Sequence, residues 1–446
     1  MTPSILWLRQ DLRLQDQPAL VAAAAEGAVI PVYVLDDETP RKWRMGGASR
    51  WWLHHSLAAL AKALAAKGSR LILRRGRTAE VLAALADETG AATIHANRHH
   101  EPWWVEAEEA LGDRLCRHDG NHLAPLREIV TGSGGQYRVY SAFWRALSQR
   151  MPPADPLPVP RQIPAPAHWP KSDRLADWDL LPTKPDWSNG FADWEPGEVT
   201  ALRRADEFVD EVVDYEARRD LPDVEGTSRL SPHLHFGEIG PRTLWHTLDG
   251  ARNAEKFRKE MAWRDFAASL LIALPDYGDT NGRPAFDAMK WRRSPSDLKA
   301  WQQGRTGYPI VDAGMRQLWT TGWMHNRVRM ITASFLIKHL LIDWREGERW
   351  FWDTLVDADY GNNSVNWQWV AGTGVDSNMW GRIMAPLVQS EKFDAAGYIR
   401  EWVPELRDLG DADIHDPVFR PKDYPDKIIG HREARERALA AGRALR

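Results

Sequence analysis

The chain has 446 residues, 43% of them apolar and 27% charged, which is ordinary for a globular protein of two to three domains. The net charge of −4 does not exclude nucleic-acid binding, because phosphate contacts need only a local basic patch. No apolar run approaches the roughly 18–20 residues of a membrane span. Cys116 is the only cysteine, which excludes an intrachain disulfide and a cysteine-built metal site. We therefore expect a cytoplasmic protein without a metal centre or a membrane partner.

The first 130 residues alternate short apolar runs with helical periodicity. This alternation predicts an α/β domain with a doubly wound parallel sheet. No Gly-x-Gly-x-x-Gly pattern follows the first strand, which argues against a Rossmann dinucleotide site there. The predicted strands are 5–8, 29–35, 71–74 and 93–96, and the predicted helices are 18–26, 49–67 and 79–89.

The rest of the chain changes character twice. Residues 131–200 are predicted to be a linker, because residues 151–200 hold 11 of the 29 prolines and exclude a regular helix or central strand. Residues 201–446 show only helical periodicity, which predicts an all-α domain. The helices predicted there are 201–219, 241–250, 255–274, 311–320, 326–341 and 346–355, followed by a solvated helix in the tail.

Tryptophan is unusually frequent, with 24 residues against 9 Tyr and 11 Phe. Most of these rings are expected to fill the core. An indole also stacks on bases and carries an electron hole, so a few of them are candidates for function.

Several sequence blocks, in this order and spacing, resemble the photolyase/cryptochrome family. The opening block is Trp7-Leu-Arg-Gln-Asp-Leu-Arg-Leu-Gln-Asp16, and Gly226-Thr-Ser-Arg-Leu-Ser follows the pattern of that family's FAD phosphate loop. The most diagnostic blocks are residues 306–318 and 321–335, and residues 357–369 complete the likeness. The resemblance runs from the first strand to about residue 406.

The resemblance implies an α/β antenna-type domain over residues 1–130 and a helical FAD- and DNA-binding domain over residues 201–446. It is nearest to the bacterial photolyases that split cyclobutane pyrimidine dimers (CPDs). We therefore expect a carbon–carbon lyase, a monomer, that uses blue light and a reduced FAD anion on a dimer flipped out of DNA, as base-flipping enzymes do. A second, antenna pigment of folate or deazaflavin type stays open, with Arg9, Asn97 and Glu101 near its expected place.

The resemblance also implies the residues that hold FAD. Hydroxyls and backbone N–H groups near a helix start suit its phosphates, and an Arg–Asp pair is expected at the reactive edge of the flavin ring. The expected set is Tyr215, Arg219, Thr227, Ser228, Arg229, Leu230, Ser231, Trp263, Asn326, Arg329, Asp357, Asp359 and Asn363.

Asn363 falls where the family places the residue that faces flavin N5. A neutral amide adds no repulsion against a reduced flavin anion, whereas a carboxylate would disfavour that anion. Plant cryptochromes carry Asp at the matching position and photolyases carry Asn. Asn363 therefore favours repair over signalling.

Two further groups follow from the matched positions. Trp301, Trp344 and Trp367 match the family's electron-transfer triad, which serves reduction of the resting flavin. Glu260 is expected to hydrogen-bond the pyrimidine edges as a catalytic group. The expected DNA and lesion contacts are Glu260, Trp263, Arg264, Asn326, Arg327, Met330, Trp369 and Arg382.

Two alternatives stay open, a cryptochrome-like photoreceptor and a (6-4) photolyase. The (6-4) enzymes carry His at the positions of Asn326 and Met330, because opening that lesion needs acid–base chemistry. Residues 375–386 depart from the common family pattern and place Asn378 and Met379 beside the expected flavin and DNA channel, so their role stays open.

Overall fold

The computed structural model describes residues 2–377 and 380–445. Asn378 and Met379, expected beside the channel, lie outside the described residues. Five parallel strands form one sheet in the order β3-β2-β1-β4-β5. The strands are β1 Ser4–Leu8, β2 Val29–Leu35, β3 Ile72–Arg75, β4 Ile94–Asn97 and β5 Leu115–His118.

The sheet confirms the predicted α/β fold. Every residue of β1 and β2 is buried, as expected for central parallel strands that are covered on both faces. Their register pairs Ser4 with Val29 and Leu8 with Tyr33. Strand β5 was not predicted, because its sequence Leu-Cys-Arg-His is short and mostly polar and it pairs only with β4, at the sheet edge.

Helices make up most of the remaining regular structure. The α-helices are α1 Pro18–Glu26, α2 Gly47–Ala66, α3 Thr78–Thr89, α4 Pro102–Leu111, α5 Tyr140–Ser148, α6 Glu198–Glu211, α7 Tyr215–Arg218, α8 Ser231–His235, α9 Pro241–Thr247, α10 Glu255–Ala273, α11 Pro295–Gln302, α12 Pro309–Thr321, α13 Asn326–Ser334, α14 Trp344–Thr354, α15 Tyr360–Ala371, α16 Pro386–Lys392, α17 Ala396–Trp402, α18 Asp411–Ile414 and α19 His431–Arg443. No helix in the described part of the chain is long and apolar enough to cross a membrane.

Two of the predicted helices are wrong in their extent. The helix predicted over residues 201–219 is interrupted after Glu211 by a 3₁₀ turn, Val212–Asp214, at two consecutive β-branched valines. The helix predicted over residues 326–341 changes after Ser334 into a π-helical turn, Phe335–His339. Such turns often occur at functional sites.

The chain divides into two compact units. The first unit comprises Met1–Asp186, Ala192–Val213 and Ser228–Pro275, and the second comprises Trp187–Phe191, Asp214–Thr227 and Asp276–Arg446. The first unit therefore contains the five-stranded sheet, helices α1–α6 and helices α8–α10. The domain boundaries drawn from the sequence stay a prediction.

Candidate functional site

A bidentate ion pair in the second unit joins Arg329, on α13, to Asp357. The two Nη atoms of Arg329 lie 3.0 and 2.9 Å from the two carboxylate oxygens, and its Nε donates to the Met324 carbonyl at 2.7 Å. The Asp357 side chain is only 3% exposed. Because a buried carboxylate is costly without a partner, the fixed guanidinium explains how this charge is tolerated. The pair expected from the sequence forms, and its contact with a flavin stays a prediction.

Helix α15 carries the two other polar groups expected near the flavin ring. Asp359 caps the helix, since its Oδ1 accepts a hydrogen bond from the Asn362 backbone N–H at 2.7 Å. Asn363 is 9% exposed, and its Nδ2 donates to the Glu348 carbonyl on α14 at 3.1 Å. This bond fixes which end of the amide points toward α14.

The three expected electron-transfer tryptophans are buried in the second unit. The ring centroids of Trp301 and Trp367 are 6.2 Å apart, and each ring also contacts Phe351. Trp344 starts α14 and its Nε1 donates to Asn281 Oδ1 at 3.0 Å. The structure thus brings Trp301 and Trp367 together, and the electron-transfer role of the three rings stays a prediction.

Arg327 is held by several groups of the second unit. Its Nη2 lies 2.7 Å from Asp220 Oδ2, its guanidinium lies 4.5 Å from the Phe393 ring centroid, and its Nη1 lies 3.8 Å from the Met330 sulfur. His325 caps α13 by accepting the Arg327 backbone N–H, and burial lowers the pKa of His325 to about 4. A neutral imidazole can accept that bond through Nδ1.

Arg219 lies beside the same carboxylate. Its guanidinium sits 5.2 Å from the ring centroid of the buried Tyr215, and its Nε lies 3.7 Å from Asp220 Oδ1. Tyr215 and Arg219 were expected to bind the cofactor. The structure links Arg219 to the group around Arg327, and the expected cofactor contacts of Tyr215 and Arg219 stay a prediction.

The remaining expected residues of the second unit are spread along the chain. Asn326 begins α13 and is exposed, and Arg382 is exposed in the segment that departs from the family pattern. Trp369 is half-buried on α15, and its carbonyl accepts a hydrogen bond from Ser377 Oγ at 2.7 Å. Thr227 ends a stretch of the second unit.

Helix α10 of the first unit carries three expected lesion contacts. The Trp263 ring lies parallel to the Tyr140 ring, with centroids 3.6 Å apart and planes inclined by 6°. Glu260 forms an ion pair with Lys256 at 3.7 Å. Arg264 donates to the Asn121 carbonyl at 2.7 Å, so its guanidinium is engaged with the backbone.

The expected phosphate loop lies in the first unit from Ser228 onward. Ser228 Oγ accepts the Leu230 backbone N–H at 3.3 Å, and Arg229 adopts a positive φ of 52° with its guanidinium 5.7 Å from the Trp194 ring centroid. Ser231 starts the short helix α8, with no side-chain cap. The loop is therefore turned by local hydrogen bonding, and its phosphate contact stays a prediction.

Comparison with known proteins identifies the family. Residues 4–164 match the DNA photolyase family model and residues 257–444 match the FAD binding domain of DNA photolyase. A deoxyribodipyrimidine photo-lyase of Agrobacterium fabrum is 48% identical over 100% of this chain and 98% of its own length. The chain belongs to the DNA photolyase/cryptochrome family. The crystal structure of a bacterial class III photolyase from Agrobacterium tumefaciens is 48% identical, with a TM-score of 0.95 over 100% of this chain and 98% of that one. Cryptochrome-2 of Arabidopsis thaliana is 34% identical over 94% of this chain and 73% of its own length.

Membership in this photolyase/cryptochrome family means that the chain has an FAD-binding domain and that its family acts on DNA. The polar groups fit a flavin, because Asp357 and Asn363 are both buried, and buried positions are usually occupied by apolar side chains. Ring nitrogens and carbonyls of a flavin are suitable partners for such buried polar groups. Arg329 with Asp357, and Asn363, are therefore the residues that would hold its ring.

The expected antenna residues lie at or just after the carboxyl ends of β1 and β4, the edge where ligands of doubly wound sheets bind. Arg9 is buried, lies 4.0 Å from the Trp7 ring centroid, and pairs with Glu108 at 2.8 Å. Asn97 accepts a further Arg9 hydrogen bond through its carbonyl. These partners occupy the Arg9 guanidinium, and Glu101 Oε2 accepts the His100 backbone N–H at 3.0 Å, so a pigment contact of these residues stays a prediction.

Sequence reasoning missed three residues of the site. Asp220 follows Arg219 directly, and that adjacency was the only available signal of an ion-pair network. Tyr140 lies about 120 residues from the ring that it stacks on, and Glu348 meets Asn363 through its backbone carbonyl. Neither contact leaves a mark in the local sequence.

Proposed function

We propose that the protein splits cyclobutane pyrimidine dimers in DNA under blue light. The observation that carries this proposal is the full-length match to a deoxyribodipyrimidine photo-lyase. Several of the side chains expected to serve the reaction are held by hydrogen bonds within the second unit, namely Arg329, Asp357, Asn363 and Trp344. We also propose, from the single cysteine and the family, that the protein acts as a monomer in the cytoplasm.

FAD, when bound as the reduced anion, supplies the light-driven electron that opens the cyclobutane ring. Arg329 contributes a positive charge that favours an anionic ring, and Asp357 keeps that guanidinium in place. Asn363 presents a neutral amide, so it adds no charge repulsion. Its bond to the Glu348 carbonyl keeps its nitrogen turned toward α14 and leaves the oxygen end for the other side.

The flipped lesion is bound by aromatic and polar side chains. Trp263 and Trp369 offer flat faces for the two bases, and Glu260 accepts hydrogen bonds from the pyrimidine edges. Asn326 and Met330 of the second unit are the further proposed lesion contacts, and neither is an acid that could protonate the lesion. This set suits a ring opening driven by electron transfer alone.

Phosphate contacts hold the DNA around the lesion. Arg327 and Arg382 are the proposed contacts, and affinity should therefore fall steeply as salt rises. Arg264 can serve in this way only by giving up its bond to the Asn121 carbonyl. Arg264 is therefore the weakest of the three candidates for a phosphate contact.

The tryptophans supply electrons to the resting cofactor and are not needed for repair itself. The ring centroids of Trp301 and Trp367 are 6.2 Å apart, and Phe351 neighbours both rings. This short separation supports an electron-transfer step between them. Trp344 completes the proposed route.

Two observations favour dimer repair over the alternative functions. Asn363 is the photolyase residue at the position where plant cryptochromes carry Asp, which disfavours a cryptochrome-like photoreceptor. Asn326 and Met330 replace the two histidines of (6-4) photolyases. Neither side chain can act as the acid that opening a (6-4) lesion requires.

The experiment compares two lesions under the same light. Oligothymidine carrying one cyclobutane dimer and oligothymidine carrying one (6-4) product are each mixed with the prereduced protein and illuminated, with a dark control. We expect loss of the cyclobutane dimer alone, and only in the light. Repair of the (6-4) product, or of neither lesion at full flavin content, would overturn the proposal.

A further inference from the structure

Asp220 lies at the centre of a cationic cluster in the second unit. Its two carboxylate oxygens point to different arginines, Oδ2 to Arg327 at 2.7 Å and Oδ1 to Arg219 at 3.7 Å. One carboxylate thus faces two guanidinium groups. Lys392 adds a third cation, 5.1 Å from the Phe393 ring centroid. Three basic side chains, Arg219, Arg327 and Lys392, therefore surround or flank the single carboxylate of Asp220 in this cluster.

Each of the two guanidinium groups also has an aromatic neighbour. Arg327 lies over Phe393 at 4.5 Å and Arg219 lies over Tyr215 at 5.2 Å. A guanidinium that has one face on a ring and one edge on a carboxylate keeps few rotamers open. Its remaining N–H groups then point in a fixed direction.

The cluster also contacts Met330, one of the expected lesion contacts. Arg327 Nη1 lies 3.8 Å from the Met330 sulfur, one helical turn further along α13. The side chain of Asp220 is 33% exposed and that of Arg327 is 19% exposed. The pair is therefore accessible enough to meet a phosphate.

We propose that Asp220 is a positioning residue that aims Arg327 at a backbone phosphate beside the flipped dimer. This inference rests on the proposed function, because it assigns Asp220 to the DNA contact made by Arg327. A carboxylate near DNA ordinarily weakens binding through repulsion of the phosphates. Here the carboxylate is expected to strengthen binding of damaged DNA. The affinity gained from a correctly oriented Arg327 guanidinium exceeds the affinity lost to repulsion between Asp220 and the phosphate.

Repulsion of phosphates by Asp220 and orientation of Arg327 by Asp220 change DNA affinity in opposite directions. Undamaged DNA and dimer-containing DNA can distinguish these two effects. Undamaged DNA binds in many registers and senses mainly charge, whereas a flipped dimer fixes one register and senses where Arg327 points. Asp220→Asn keeps the shape of the side chain and removes its charge. It should tighten binding of undamaged oligothymidine and weaken binding of the same oligomer with one cyclobutane dimer by about fivefold, the scale of a part-exposed ion pair.

The measurement is fluorescence anisotropy of both oligomers with the full-length, FAD-loaded protein over a series of KCl concentrations. Asp408→Asn is the matched control, because Asp408 is an exposed acid of the second unit. That control should change both affinities equally and slightly. Repair per absorbed photon at saturating dimer should be the same in Asp220→Asn and the wild type.

A double-mutant cycle shows whether Asp220 acts through Arg327. In an Arg327→Ala background, Asp220→Asn should no longer weaken binding of damaged DNA. The proposal is overturned if Asp220→Asn tightens or weakens both probes equally, or if its effect on damaged DNA persists without Arg327. If Asp220→Asn loses flavin, Arg327→Lys tests the same pair. It keeps the charge, and it should weaken damaged-DNA binding alone, whereas equal effects on both probes would refute the proposal.

Failure of the proposed function would look different. A wild-type protein that binds both probes with equal affinity would show that the dimer is not recognised, whatever Asp220 does. A wild-type protein that prefers the damaged probe while Asp220→Asn behaves like Asp408→Asn would overturn the positioning role alone.

Discussion

Gly347 allows Trp367 to approach helix α14 closely. A Cβ placed on Gly347 would lie 2.2 Å from Trp367 Cη2 and 2.6 Å from Leu336 Cδ2. Contacts of this kind ordinarily measure about 3.5–4.0 Å. We therefore predict that Gly347→Ala displaces the Trp367 ring and destabilises the protein.

The size of the effect follows from two opposing terms. Alanine in the interior of a helix is better than glycine by about 1 kcal/mol. Overpacking a buried site costs about 1–3 kcal/mol, and the upper end applies here because the ring is rigid and only 3% exposed. The expected loss in the free energy of unfolding is therefore about 2 kcal/mol.

Urea denaturation of the FAD-loaded protein measures the loss, and photoreduction of the resting flavin is followed in parallel. Photoreduction should slow, because Trp367 would leave its present distance of 6.2 Å from Trp301. Gly132→Ala is the control, since a Cβ there meets nothing within 4 Å and Gly132 is exposed outside the helices, and it should change stability by less than about 0.5 kcal/mol. A Gly347→Ala protein as stable as the wild type would refute the reasoning.

Three further substitutions test other parts of the site. Asn363→Asp replaces the amide donor by an acceptor that faces the Glu348 carbonyl, so it should lower the free energy of unfolding in urea by about 1–3 kcal/mol. It should also disfavour the reduced flavin anion in a redox titration, and an unchanged potential would contradict this interpretation. Trp367→Phe should slow photoreduction yet leave repair by prereduced protein intact, and a loss of repair at full flavin content would be the contrary result. Tyr140→Leu removes the parallel stack on Trp263, and it should weaken binding of dimer-containing DNA by about fivefold while repair per photon at saturation stays constant, judged by anisotropy and illumination of the same samples.

The fold was largely predictable from the sequence, because buried parallel strands and amphipathic helices leave periodic patterns. The all-apolar run of β2 and the spacing along α14 are examples. Strand β5 was missed because an edge strand needs no apolar run. The π-helical turn Phe335–His339 was missed because its sequence is as apolar as the helix before it.

The candidate site was predictable only where a family motif carried it. Arg329 and Asp357 lie 28 residues apart, and their pairing came from the resemblance and is present in the structure. The contacts of Asp220 with Arg327 and of Tyr140 with Trp263 join residues more than 100 positions apart. Such contacts depend on tertiary packing, which one sequence without relatives does not reveal.

The central claim is that the protein, with FAD bound, opens cyclobutane pyrimidine dimers catalytically under light and does not consume the flavin. The most direct measurement is anaerobic illumination of prereduced protein with excess dimer-containing oligothymidine, counting dimers lost per flavin and recording the flavin spectrum afterward. We predict many dimers repaired per flavin, with the flavin still reduced at the end. Repair that stops at one dimer per flavin with matching flavin oxidation, or no repair at full flavin content, would contradict the account.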